Sequence, residues 1–155
     1  MYDYFVAAMR CPVCREVSPA DSSTNMQTHL RFGADGRELA AGFALKPVET
    51  EAEHIAASGY VRIACPPDQG SATLLETWEC PTCGANDLWA VIEIRGGVIA
   101  LIAGLDLDRK ALDRAHFISD QCFLRAAQLS GLPSADLMNG KVDPVAVLRE
   151  HLPSA

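Results

Sequence analysis

Four of the six cysteines in the 155-residue chain spell two nearly identical words, Cys11-Pro12-Val13-Cys14 and Cys80-Pro81-Thr82-Cys83. Two thiols separated by two residues can turn toward one soft cation. Two such pairs supply the four sulfur ligands that a zinc tetrahedron takes, each at about 2.3 Å from the ion. Pro12 and Pro81 fix φ at the second position of each turn. Gly84 follows the second word and can adopt the positive φ that closes such a turn. Arg15 holds that place after the first word, so that turn must close with a less permissive residue.

Other chemistry finds little support. His29, His54, His116 and His151 are dispersed, and none stands at ligand spacing from another. The chain lacks the His-x-Glu and Pro-Cys-x-x-Cys halves of a zinc deaminase. It also lacks a Gly-rich phosphate loop, a Gly-x-Ser-x-Gly elbow and a His-Glu-x-x-His helix. A thioredoxin-like redox pair needs one Cys-x-x-Cys at a helix N-terminus. Here both words lie between strand-like segments, and matched pairs suit one ion better than two redox centres. Asp106, Asp108 and Asp113 read as a capping and solvated set, not as an acid–base pair. No catalytic residue is therefore assigned.

The elements that must position the four thiols can be read in outline. The second word lies between 72–80, an apolar strand, and the strand at 88–95. That strand turns at Gly96-Gly97 into 98–105, and its apolar run predicts a central hairpin covered on both faces near its end. The 65 residues between Cys14 and Cys80 form an insertion, 15–79, beginning and ending at the metal. Within it, 26–32 and 39–45 read as strands joined by a turn at Asp35-Gly36. A loop or short helix follows at 46–59, closed by Gly59, and a further strand at 60–65. From Asp106 the period changes. Leu112, Ala115, Ser119, Cys122, Ala126 and Leu129 recur at three- and four-residue spacing, which predicts one long helix capped by Asp106 or Asp108 and ended by Gly131. Asp143-Pro144 opens a final short helix. The expected fold is α+β in a single domain, 1–155. Its antiparallel β-rich part (1–105) carries the metal, and the helical part (106–155) packs on the sheet.

Composition bounds the function classes. Hydrophobic residues make up 49% and charged residues 21%, as in a globular chain. No apolar run reaches the roughly 18–20 residues of a membrane-spanning helix. The N-terminus has no basic leader before an apolar stretch, so a cytoplasmic location is expected, where thiols stay reduced. The net charge is −7. Between Glu51 and Leu105, only Arg62 and Arg95 face Glu51, Glu53, Asp68, Glu76, Glu79, Asp87 and Glu93. That sign disfavours nucleic acid, which calls for a basic stripe, and suits a partner protein with a basic surface.

The stretch Trp78-Glu-Cys-Pro-Thr-Cys-Gly-Ala-Asn-Asp-Leu-Trp89, leading into a strand, resembles the second knuckle of zinc-ribbon proteins and of rubredoxins. The resemblance covers about two dozen residues around the two words. It implies two hairpin tips holding one metal ion between Cys11, Cys14, Cys80 and Cys83. The knuckles lie much farther apart here than in a minimal ribbon. Aromatics make up only 6% of the chain, whereas rubredoxins pack an aromatic-rich core around iron. One structural Zn²⁺ per chain is the expected cofactor. The expected function is a non-enzymatic protein-interaction module, of the kind found in small bacterial adaptor or immunity proteins. The alternatives are an accessory factor of a nucleic-acid machine and a rubredoxin-like iron electron carrier.

The two remaining cysteines provide a check on the ligand set. Cys122 lies on the apolar stripe, where a free thiol behaves as a small hydrophobe. Cys65 reads first as a buried strand residue and second as a spare thiol near the metal. Cys65→Ala and Cys122→Ala should each keep the full metal content by elemental analysis, and Cys122→Ala should lower stability by only about 1 kcal/mol. Halved metal retention in Cys65→Ala would show that Cys65 replaces one of the four ligands.

Overall fold

The clearest alternation in the chain builds the longest pairing. In the computed structural model, which describes residues 2–31 and 36–154, β6 (Leu88–Arg95) and β7 (Val98–Leu105) run antiparallel. Gly96 and Gly97 join them at φ of 57° and 79°, a conformation that glycine adopts without a Cβ clash. On the other side of β6, β5 (Ala72–Trp78) pairs antiparallel with it. Beyond β5 come β8 (Phe117–Ser119), parallel to β5, and then β4 (Tyr60–Arg62), antiparallel to β8. The order is β4-β8-β5-β6-β7. A second sheet places β1 (Asp3–Phe5) between β2 (Met26–Thr28), antiparallel, and β3 (Glu38–Leu39), parallel. The helices are α1 (Ala52–Ala57), α2 (Arg109–Arg114), α3 (Cys122–Ser130), α4 (Ser134–Met138) and α5 (Pro144–His151).

The expected α+β class is the one observed, and the period of the strands shows why. Successive side chains of β5 and β8 point to opposite faces. Leu74 and Phe117 join a cluster with Phe5, Met26 and Leu39 of the smaller sheet. Their neighbours Leu75 and Ile118 join a second cluster with Leu112, Cys122, Ala126, Val145 and Leu148 from the helices. The five-stranded sheet is thus covered by the small sheet on one face and by the C-terminal helices on the other. Helix ends follow the sequence signals. Asp108 accepts from Ala111 N–H at 2.8 Å, Asp143 accepts from Val145 N–H at 3.0 Å, and Gly131 closes α3 at φ 75°.

Three expectations change. The single long helix from Asp106 is broken into α2 and α3 by β8. The stripe residues Leu112, Ala115, Ser119, Cys122 and Ala126 are all buried, but a helix would bury only one of the adjacent pair Phe117 and Ile118. A strand buries both, one on each face, and fills the gap between β4 and β5. Ser119, the last residue of β8, accepts from Gln121 N–H at 3.3 Å as the chain turns toward α3, whose N-cap is Gln121. Second, β7 ends the strand order, its first residues bridged, among the described residues, only by the segment around Phe43 and Ala44, with Val98 37% and Leu101 41% exposed. A register shift between Glu93 and Ile94 leaves the small residues Ala100 and Gly104 exposed and only Ile99 and Ile102 buried. Third, the expected hairpin of 26–32 with 39–45 does not form, because β1 separates its two strands. Asp35 of its turn lies outside the described residues. The sheets are accordingly mixed, with two parallel pairings among mostly antiparallel ones.

A buried polar chain ties the two sheets together. Thr28 of β2 shares a hydrogen bond with the Tyr60 hydroxyl of β4 at 2.8 Å, and that hydroxyl donates to Glu76 of β5 at 2.7 Å. Glu76 is only 4% exposed. Burial pushes its carboxyl up from the ordinary 4.5 to about 7, against the lowering effect of the Tyr60, Thr77 and Ser119 donors. The folded chain therefore holds a proton on Glu76 that the unfolded chain has already released above about pH 4.5. Its share of stability is complete below that pH and is lost as pH rises through about 7, a loss of about 3 kcal/mol at most. Denaturant unfolding from pH 5 to 8 should show this decline in the wild type, and Glu76→Gln should flatten it.

Candidate metal centre

Each knuckle is built by the same local bonds. Cys11 N–H donates to Glu16 carbonyl at 2.9 Å, and Arg15 N–H donates to Cys11 carbonyl at 3.0 Å. In the second word Cys80 N–H donates to Ala85 carbonyl at 2.9 Å, and Gly84 N–H donates to Cys80 carbonyl at 2.9 Å. The closing residue is left-handed in both, with Arg15 at φ 70° and Gly84 at φ 75°. A side chain in that region carries a strain of about 1 kcal/mol. The Arg10 guanidinium donates to the Arg15 carbonyl at 3.1 Å across this turn. Both words stand at hairpin tips. Arg10 and Val17 form an antiparallel bridge around the first, and β5 and β6 flank the second.

The two tips meet. The sulfurs of Cys11, Cys14, Cys80 and Cys83 all lie within 4.8 Å of one another. Cys11 and Cys83 sulfurs are 3.7 Å apart, as are those of Cys14 and Cys80. A disulfide would bring a pair to about 2.05 Å. A tetrahedron with 2.3 Å metal–sulfur bonds has edges of about 3.8 Å, so the thiols are spaced for one ion between them. Cys11 and Cys80 are buried, Cys14 is half-buried and Cys83 is exposed.

The electrostatics point the same way. Val13 and Cys14 N–H groups approach Cys11 Sγ at 3.3 and 3.5 Å and favour its thiolate. The Cys14 N–H contributes most to holding the Cys11 thiol below its ordinary value. The equivalent amides of Cys83 and Thr82 bring Cys80 down to about 6 against the effect of burial. Cys14 is drawn down by the Glu16 N–H, but burial and the three neighbouring thiols outweigh it and push Cys14 up to about 12. Four thiols this close cannot all ionise on their own, whereas a cation among them allows it.

All four residues singled out by spacing are brought together. Cys65 is exposed beyond β4, not buried in a strand, and lies outside the cluster, while Cys122 is buried in the helical cluster as expected. None of the four histidines joins a metal-holding group among the described residues. The acceptors Glu16 and Ala85, which close the turns, were not singled out from the sequence. Their signal was present, because each stands five positions after the first cysteine of its word. No protein-family model, curated protein or solved structure matches the chain.

Replacing one ligand tests whether the tips share an ion. Cys80→Ser should lose the metal and make the chain near Arg15 and near Glu79 cleavable together in limited proteolysis. The α2–α3 region, packed on its own apolar cluster, should stay protected. Retained metal with an intact Cys11–Cys14 turn would mean that the two words act separately.

Proposed function

We propose that the chain is a non-enzymatic protein-interaction module whose fold is fastened by one structural Zn²⁺ held by Cys11, Cys14, Cys80 and Cys83. The observation that carries this reading is the closed donor set. Four sulfurs at tetrahedral spacing fill every position around the ion, whereas catalytic zinc keeps one position open for water or substrate. The net charge of −7 favours a partner with a basic surface over nucleic acid. The edge strand β7, with Leu101 exposed, adds an apolar surface for such a partner. The setting we propose is the bacterial cytoplasm, where reduced thiols remain free to bind the ion, and the class is a small adaptor or immunity-type protein.

The test is isolation from the native cell followed by metal analysis of the same sample. One zinc per chain and a stoichiometric protein partner whose binding weakens as salt rises are the expected results. Iron in place of zinc, with a coloured and redox-active protein, would support an electron carrier instead. Salt-dependent binding of the isolated chain to nucleic acid would support the accessory-factor alternative.

A further inference from the structure

A polar cavity of about 520 Å³ opens beside the seam between the two sheets, within the size range of small-ligand sites. Several separate parts of the chain wall it, with Tyr2 beside β1 and Asp87 before β6 among the lining residues. The others come from the segment around β2, the turn into β4, the end of β5 running into the second knuckle, and the turn from β8 into α3. Glu76, 4% exposed, lies at its floor, and Asp120 stands exposed at its mouth. Glu79 and Asp87 complete an acidic lining. No lysine or arginine lines the cavity among the described residues, and His29 is the one lining side chain there that can become cationic.

The chemistry of the lining selects a class of ligand. Glu79 accepts from the Asn25 amide at 3.3 Å, and Glu76 from the Tyr60 hydroxyl at 2.7 Å and the Thr77 N–H at 3.2 Å, whereas the Asp120 carboxylate makes no hydrogen bond among the described residues. Burial raises both the Glu76 and the Asp120 carboxyl, the latter against the nearby His29, so both lack a strong compensating positive charge. A bare metal ion is a poor complement. The four cysteines are the one set of metal-holding groups clustered tightly enough among the described residues, and no cavity carboxylate belongs to it. Acids spread around a cavity suit a larger cation with several N–H donors. The Tyr2 and His29 rings, 4.4 Å apart, add an aromatic wall against which such a group can lie.

We propose that this cavity binds an organic cation, an amine or guanidinium group on a flexible chain, with Asp120 at the mouth as its anchor and Glu76 adding negative charge from the floor. The group could come from a free small molecule or from an arginine or lysine side chain of a partner protein. The chemistry that recognises it is the same. The inference goes beyond the interaction-module reading and does not rest on it, since metal content and cation binding are read separately.

Calorimetric titration of the zinc-loaded full chain at pH 8, where Glu76 is ionised, decides between outcomes. The probes are agmatine, the peptide acetyl-Gly-Arg-Gly-amide, and the same peptide with citrulline replacing arginine. Saturable binding of agmatine or of the arginine peptide is expected, at least about tenfold tighter than the neutral citrulline peptide. Agmatine alone would identify a free small cation as the source, and the arginine peptide alone a partner side chain. Asp120→Asn should weaken binding at least about tenfold with zinc content and melting temperature preserved, and Glu76→Gln should weaken it with zinc content preserved. If Glu76→Gln fails to fold, Asp120→Asn, at an exposed position, decides alone. Absence of binding by either cation up to about 1 mM would overturn the proposal. So would equal binding of the citrulline peptide, or unchanged affinity in every variant that folds.

Discussion

Four thiols confined within 4.8 Å of one another repel as thiolates unless a cation stands among them. Much of the arrangement of the first half of the chain follows from satisfying that condition. Cys11 comes soon after β1 of the small sheet, and Cys80 follows β5 of the large one. Bringing their turns face to face therefore fixes where the N-terminal segment meets the β5–β6 hairpin. The segment between Cys14 and Cys80 becomes a long closed loop. Closing it costs chain entropy that grows only slowly with length, so 65 intervening residues are no obstacle to a shared site.

A metal among the four thiols would not hold the sheets together alone. Phe5, Met26 and Leu39 pack in one cluster with Leu74, Ile92 and Phe117, so apolar burial joins the sheets directly. The Thr28–Tyr60–Glu76 chain adds directional bonds at the same seam. A buried carboxyl is an expensive element there, as its raised protonation point shows. A glutamine could accept the same Tyr60 bond without that cost. The carboxyl is therefore better explained by the cavity it lines than by the joint it makes.

What could be read in advance was whatever is local. The knuckles, the Gly96-Gly97 turn, the Asp108 and Asp143 caps and the Gly131 stop each depend on a few neighbouring residues. What escaped depends on partners distant in sequence. Leu112, Ala115, Cys122 and Ala126 fit a helical period because both helices flanking β8 face the same cluster. The strand between them is set by vacant edges on β4 and β5, which no residue near Phe117 announces. The insertion of β1 between β2 and β3, and the edge position of β7, are likewise matters of sheet order and not of pattern. The cavity was illegible for the same reason. Its acids come from the end of β5, the loop before β6 and the turn after β8, and each alone looks like a solvated charge.

The two polar centres differ in the kind of complement they demand, and they are not independent. Soft sulfurs at tetrahedral spacing match a single ion, whereas hard oxygens spread around a cavity match an extended group. Yet Glu79 and Asp87, on either side of the second knuckle, line the cavity. Asp87 also sits at φ 59°, a conformation held by the loop that leaves the knuckle. A metal held by the four thiols would secure one wall of the acidic cavity, while Tyr60 and Glu76 secure its floor from the sheet seam. A metal ion among the four thiols would in this way also set the positions of carboxylates outside its own shell, because the second knuckle carries Glu79 and Asp87 on its flanks.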